Sequence, residues 1–226
     1  MGYSIQKRGK MAINEVEFFK IDFTPRLDTD ETIASIDSLS FSGNITVDEQ
    51  AIITEAYTDA WRSNLAKTIE VAASKAIQVK VTPTSAATYP IVPTITTSAG
   101  RIFKPEILLD VVDWIDIESP KPINAGSLEF LSLDFSSRLE TSELLSTVVV
   151  TDIDSTGTLG ISGATQNAAD YVDDVRSNSY EEITVLAGKA ARWAINPSAV
   201  ATYNMKVQAT SDSGRVCIRR VKQAVR

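Results

Sequence analysis

Two acid–base pairs recur in this chain. Asp22 precedes Arg26 by four residues, and Asp134 precedes Arg138 by four. A carboxylate and a guanidinium at that spacing suit a charge-assisted brace across a turn. Hydrolysis of a glycosidic bond would need a second carboxylate at a set distance across a cleft, and neither aspartate has an evident one. A further acidic group, Asp110, Asp113, Asp116 and Glu118, carries oxygen ligands of the kind Ca2+ takes. Its spacing fits no calcium loop, so it reads as a solvated junction, with calcium as the alternative.

Other chemistry is closed off by composition. The chain has no histidine and one cysteine, Cys217. Histidine is the commonest general base and metal ligand, so Ser-His-Asp and Cys-His nucleophile systems are impossible. One cysteine makes no internal disulfide. No catalytic residue is assigned, and no cofactor or metal is expected. The reading is a protein that is not an enzyme.

The net charge is −7, unevenly spread. Residues 1–10 carry Lys7, Arg8 and Lys10, and residues 215–226 carry Arg215, Arg219, Arg220, Lys222 and Arg226, with no acid in either stretch. The body between them holds 14 bases against 29 acids. An acidic body argues against sequence-independent nucleic-acid binding, which needs a positive footprint. The basic ends suit an acidic protein surface; in the plainer reading, alternate residues of a last strand simply face solvent. No apolar run approaches the length of a transmembrane helix, so no membrane partner is expected. The leader MGYSIQKRGK lacks the apolar stretch of a secretory signal.

What positions these residues is a tandem duplication. Phe19-Lys20-Ile21-Asp22-Phe23-Thr24-Pro25-Arg26-Leu27-Asp28-Thr29 matches Leu131-Ser132-Leu133-Asp134-Phe135-Ser136-Ser137-Arg138-Leu139-Glu140-Thr141 at a spacing of 112. Arg62-Ser63-Asn64 matches Arg176-Ser177-Asn178 at 114, and that spacing holds onward. Lys75 falls on Lys189, Pro83 on Pro197, Thr88-Tyr89 on Thr202-Tyr203, and Gly100-Arg101 on Gly214-Arg215, with Ala99 opposite Ser213. The division is an N-terminal arm (1–13), a first module (14–112), a linker (113–125) with prolines at 120 and 122, and a second module (126–226).

Each module reads as all-β. Apolar residues alternate along 77–81, 88–97 and 203–209, the pattern of half-buried antiparallel strands. Ser98-Ala99-Gly100 and Asp212-Ser213-Gly214 read as tight hairpin turns, each with a second strand after it. Strands and turns at these intervals predict two tandem Ig-like antiparallel β-sandwich domains. "Ig-like" means architecture here, because the disulfide and tryptophan of antibody domains are missing. Residues 47–62 and 164–176 break the pattern, and each predicts a short helix or irregular excursion.

The strand-turn-strand endings carry a resemblance. Thr88-Tyr89-Pro90-Ile91-Val92-Pro93-Thr94-Ile95-Thr96-Thr97-Ser98-Ala99-Gly100-Arg101 resembles the closing hairpin of small Ig-like modules in tailed-phage virion proteins. The opening phrase Asp30-Glu31-Thr32-Ile33-Ala34-Ser35 is also similar, while Ser142-Glu143-Leu144-Leu145-Ser146 in the second copy is a degraded match. In that family such modules occur in tail-fibre adaptors, tail accessory proteins and capsid decoration proteins. The resemblance therefore implies a virion structural protein, assembled in the host cytoplasm, whose partners are other virion proteins and copies of itself. An adaptor between tail or neck and fibres is the first reading, a capsid decoration protein the second, and a carbohydrate-active β-sandwich enzyme a remote third.

Contact residues are expected where the copies differ. These are Tyr3 and Ile5 as apolar anchors of the arm, Lys7 and Arg8 beside them, Trp61 in the first excursion, Trp114 in the linker, and Arg219 and Arg220 in the last strand. Trp193 is read as core.

Overall fold

The computed structural model describes residues 10–59, 68–119, 121–154, 158–173, 177 and 182–226. It divides the chain into two compact units, with the boundary between Asp113 and Trp114. Both are built of strands, and among the described residues no helix is long and apolar enough to cross a membrane.

Unit 1 contains β1 (Met11–Ala12), β2 (Glu17–Asp22), β3 (Ile33–Phe41), β4 (Ile45–Ile52), β5 (Tyr57–Thr58), β6 (Glu70–Val71), β7 (Ala76–Pro83), β8 (Ala87–Thr97), β9 (Ile102–Phe103) and β10 (Ile107–Val112). One sheet runs β1-β10-β8-β3 with β9 also on β8, and a second runs β2-β7-β4. β5 and β6 form a small separate pair. Tyr89, Ile91, Ile95, Leu109 and Val111 of the first sheet share one buried cluster with Phe19, Ile45, Val47, Ile77, Val79 and Val81 of the second. The inward faces of two sheets closed on a common core make this a β-sandwich.

Unit 2 contains β11 (Asp116–Glu118), β12 (Glu129–Asp134), β13 (Leu145–Asp152), β14 (Ser162–Gln166), β15 (Tyr171–Val172), β16 (Thr184–Val185), β17 (Ala190–Ile195), β18 (Thr202–Ser211) and β19 (Val216–Ala224). Its sheets run β11-β19-β18-β13 and β12-β17-β14. Its core joins Tyr203, Met205, Val207 and Cys217 to Phe135, Trp193 and Ile195. Trp193 is core, as expected. The duplication is thus repeated strand by strand. β2 and β12 stand 112 apart, and β5, β6 and β7 stand 114 from β15, β16 and β17.

Both hairpin turns form as expected. Gly100 and Gly214 take φ of 77° and 85°, a region closed to most side chains. The strand after the first turn differs from expectation. It breaks into β9 and β10 around Lys104-Pro105-Glu106, because proline has no N–H to donate to the ladder. After the second turn, β19 is continuous.

A second repeated feature supports the Ig-like architecture. Tyr89 donates its hydroxyl to the Ser85 carbonyl at 2.8 Å, and Tyr203 donates to the Ala199 carbonyl at 3.0 Å. A tyrosine reaching back to the backbone four residues upstream is the tyrosine corner of such sandwiches.

Four expectations need correction. Not every ladder is antiparallel: β1 pairs parallel with β10, and β11 pairs parallel with β19. Residues 11 and 12 belong to no arm, since Met11 and Ala12 are fully buried as β1. The described residues from Trp114 to Ala125 belong to unit 2 rather than to a linker. Asp116, Ile117 and Glu118 form β11, and Ile123 bridges Val225. The helical option also fails where the excursions are described. Residues 45–52 and 162–166 are strands on β7 and β17, with register shifts that distort their alternation.

Candidate functional site

Five of the sequence-derived contact residues, Tyr3, Ile5, Lys7, Arg8 and Trp61, lie outside the described residues. The other three lie on or beside β11 and β19, which the parallel ladder sets side by side. Arg220 grips Asp116 with two nitrogens, Nε at 2.5 Å and Nη2 at 2.9 Å. Its guanidinium also stands 5.6 Å from the centre of the Trp114 ring. Lys222 adds a contact to Asp116 at 3.3 Å. The structure thus joins Trp114 and Arg220 through an aspartate that had been assigned to a solvated junction.

Arg219 is corrected as a contact residue. Strand alternation sends Cys217, Arg219, Val221, Gln223 and Val225 to one face, and four of these are at most 5% exposed. Arg219 is itself 7% exposed, with Nη1 donating to the Ile218 carbonyl at 2.6 Å. It is therefore not a surface charge. The outward residues of this strand include Arg220 and Lys222, and both are engaged by Asp116.

These bonds hold the Asp116 carboxyl down at about 2, the hydrogen bond from Arg220 being the largest cause. The sign of the stability effect follows from linkage. A carboxyl whose folded value lies below its ordinary 3.8 stabilises the fold above 3.8 and loses that contribution as pH falls towards 2. Asp116→Asn should lower the urea midpoint of the chain at a pH of about 5, and the difference from the parent should close as the pH approaches about 2. An offset that is the same at both ends would mean that the ion pair does not contribute. The side chain is 38% exposed, so solvent screening keeps the effect small.

Calcium at the acidic group finds no support in this geometry. Asp116 is held by two cations, and Asp110 accepts a bond from the Thr88 hydroxyl at 2.9 Å. Among the described residues no cluster of three or more metal-ligating side chains occurs.

The most developed polar arrangement is a cluster present once in each unit. In unit 1, Glu31 is 5% exposed. It accepts from Arg101 Nε at 2.8 Å, from the Thr97 hydroxyl, and from the Asp28 amide at 3.1 Å. Lys75 donates to the carbonyls of Asp28 and Thr29 at 2.9 and 2.8 Å. In unit 2, Glu143 accepts from Arg215 Nε at 3.1 Å, from the hydroxyls of Ser211 and Ser213, and from the Glu140 amide at 2.9 Å. Lys189 donates to the carbonyls of Glu140, Thr141 and Glu143. Burial pushes the Lys189 ammonium down from its ordinary value, with the charge of Glu143 acting against that.

Each cluster ties the turn before one edge strand to the closing hairpin and to the start of the central strand, β7 or β17. The carboxylates are filled with donors, and the lysines face carbonyls. Its chemistry is that of a charge-assisted clamp.

The aspartates of the two pairs anticipated from sequence share one role in the fold. Asp22 Oδ1 accepts from the Thr24 amide at 2.8 Å, and Asp134 Oδ1 from the Ser136 amide at 2.7 Å. Each thus anchors a single 3-10 turn, Thr24–Arg26 or Ser136–Arg138. The clamp residues Glu31 and Glu143 went unassigned. Their signal was present: the spacing of 112 superposes them, in a phrase that otherwise reads as degraded.

No protein-family model matches the chain, and no curated protein matches it. Among solved structures, domains 5-6 of the S-layer protein SbsC align with all of this chain and 96% of that one, at 11% identity and a TM-score of 0.28. A superposition that loose bears on neither fold nor function.

Proposed function

We propose that this chain is a structural protein of a tailed-phage virion, a connector whose sandwich units join tail or neck components to fibres through protein–protein contacts. The observation that carries the reading is what the duplication preserves. The shared polar chemistry is filled: the Glu–Arg–Lys clamp, with its glutamates and lysines buried, and the tyrosine corner recur in both units. The copies diverge at their surfaces. In unit 1, Lys80 lies over the ring of Phe18 at 5.9 Å. At the matching positions of unit 2 stand Ala194 and Phe130, and Phe130 is 70% exposed. A chain that retains its scaffold and varies its faces suits contacts with different neighbours, and exposed aromatics suit protein interfaces. The resemblance of the closing hairpins to phage modules gives the setting.

The test is the composition of purified particles of the phage that encodes the chain. Quantitative mass spectrometry should find the protein at a fixed copy number, in a small multiple of three or six. Hundreds of copies per particle would instead support capsid decoration. Absence from particles would sink both.

A further inference from the structure

Strand β13 lies at the edge of its sheet, with β18 on one side and, among the described residues, no strand on the other. Exposed sheet edges invite pairing with another chain, and most proteins blunt them with charges or bulges. The equivalent edge of unit 1 is blunted. Strand β3 carries register shifts between Ile33 and Ser35 and between Ile36 and Ser38. In its middle stands Asp37, fixed by the hydroxyls of Ser35 and Thr96 at 2.6 Å each. Strand β13 has one shift, between Leu145 and Thr147, and then runs regularly to Asp152. The ladders put Val149, opposite Gln208, where Ser38 stands opposite Thr94, so the bulged Asp37 has no counterpart in β13, and Val149 is 55% exposed.

The sequence of this edge is symmetric. Thr147-Val148-Val149-Val150-Thr151 reads the same in both directions about Val149 and carries no charge. The hydrogen-bond phase has the same centre. The Ile153 amide donates to the Asn204 carbonyl at 2.9 Å. In an antiparallel ladder bonded pairs recur every second residue, so those of β13 fall at Thr151, Val149 and Thr147. Val148 and Val150 therefore turn their N–H and C=O groups to the open side. A second β13, laid antiparallel about a two-fold axis at Val149, sets Val148 of each copy against Val150 of the other. Each of those pairs exchanges two backbone bonds.

Charge fits the same arrangement. About that axis Thr147 faces Thr151, Ser146 faces Asp152, and Val149 faces itself, so no acid meets an acid. The bulge at Asp37 breaks this register on β3, and hydrogen bonds from Ser35 and Thr96 hold the Asp37 carboxyl below its ordinary value, so a charge stands on that edge. Charges and bulges on an edge strand discourage pairing.

We propose that two copies of this chain associate through β13, antiparallel about a two-fold axis at Val149, so that two four-stranded sheets become one continuous sheet. The interface is isologous, the same patch on both partners. It does not depend on the virion reading, because it is tested on the isolated chain, whereas that reading is tested on particles.

Sedimentation velocity of the purified full-length protein should show a dimer in the micromolar range. Val149→Asp should weaken the dimer at least about tenfold through opposed like charges, with the circular dichroism spectrum unchanged because the position is exposed. A second measurement does not rely on loss. In a Cys217→Ser background, Val149→Cys should oxidise to a disulfide-linked dimer. A non-bonded antiparallel pair holds its Cα atoms about 4.5 Å apart, within the reach of a disulfide. Thr147→Cys should not do so, because it faces Thr151. A chain that is monomeric throughout the micromolar range overturns the proposal. So does a V149D protein that dimerises like its parent, or a T147C protein that cross-links as readily as V149C.

Discussion

Replacing Arg215 by Met should destabilise unit 2 by about 3–5 kcal/mol, the cost of stranding one partner of a buried pair. Arg215 and Glu143 side chains are each 4% exposed. Removing the guanidinium leaves the Glu143 carboxylate with the two serine hydroxyls and the Glu140 amide as neutral donors, and no full positive charge bonded to the carboxylate itself. Lys189 stands nearby but faces carbonyls. The double change Arg215→Met with Glu143→Leu should recover a large part of the loss, since it removes the orphaned charge along with its partner. Arg101→Met should cost less. The Arg101 side chain is 42% exposed, so water reaches the site and replaces part of what is lost. Urea titration followed by tryptophan fluorescence, with hydrogen exchange to localise the unfolding, measures all three. An R215M protein within about 1 kcal/mol of the parent would show that the hydroxyls and amides alone hold the carboxylate.

The clamp also shows where a sequence reading reaches its limit. Asp22 and Arg26 invite attention because they are four residues apart. Glu31 and Arg101 are 70 apart and Glu143 and Arg215 are 72 apart, so only the folded hairpin brings them together. Local patterns were legible for physical reasons of the same kind. The alternation in β8 and β18 is a property of consecutive residues, and the positive φ of Gly100 and Gly214 follows from the turns they occupy. The parallel ladders of β1 and β11 were not legible, because a strand of two or three residues carries no period to detect. Arg219 misled in a different way. A run of basic residues at the end of a strand suggests a charged face, but alternation assigns neighbours to opposite faces, so that Arg220 is outward and Arg219 buried. Where the two copies agree, at Glu31 and Glu143, the residue holds the scaffold. Where they part, at the Asp37 bulge of β3 and the regular run of β13, the difference lies on an edge that can be touched.

The same comparison gives the second large effect. Trp193 is 2% exposed and faces Leu131 across the β12–β17 ladder. At the equivalent place in unit 1, Val79 faces Phe19. Each unit thus pairs one aromatic with one aliphatic residue, but the aromatic has changed strands. Trp193→Ala should cost about 3–5 kcal/mol, chiefly through the cavity it leaves. The indole N–H has no hydrogen-bond partner among the described residues, so no bond is lost with the ring. The cost should depend on whether the facing residue can refill the space. Trp193→Val alone leaves Leu131 opposite a small side chain and should be clearly destabilising. Adding Leu131→Phe rebuilds the pair that unit 1 already uses, and should return at least about 1 kcal/mol, an interaction energy expected of residues in direct contact. A double-mutant cycle in urea measures that coupling. If the two changes simply add, the strand swap of the aromatic is incidental, and the two cores are packed by unrelated solutions rather than by one pair exchanged across a ladder.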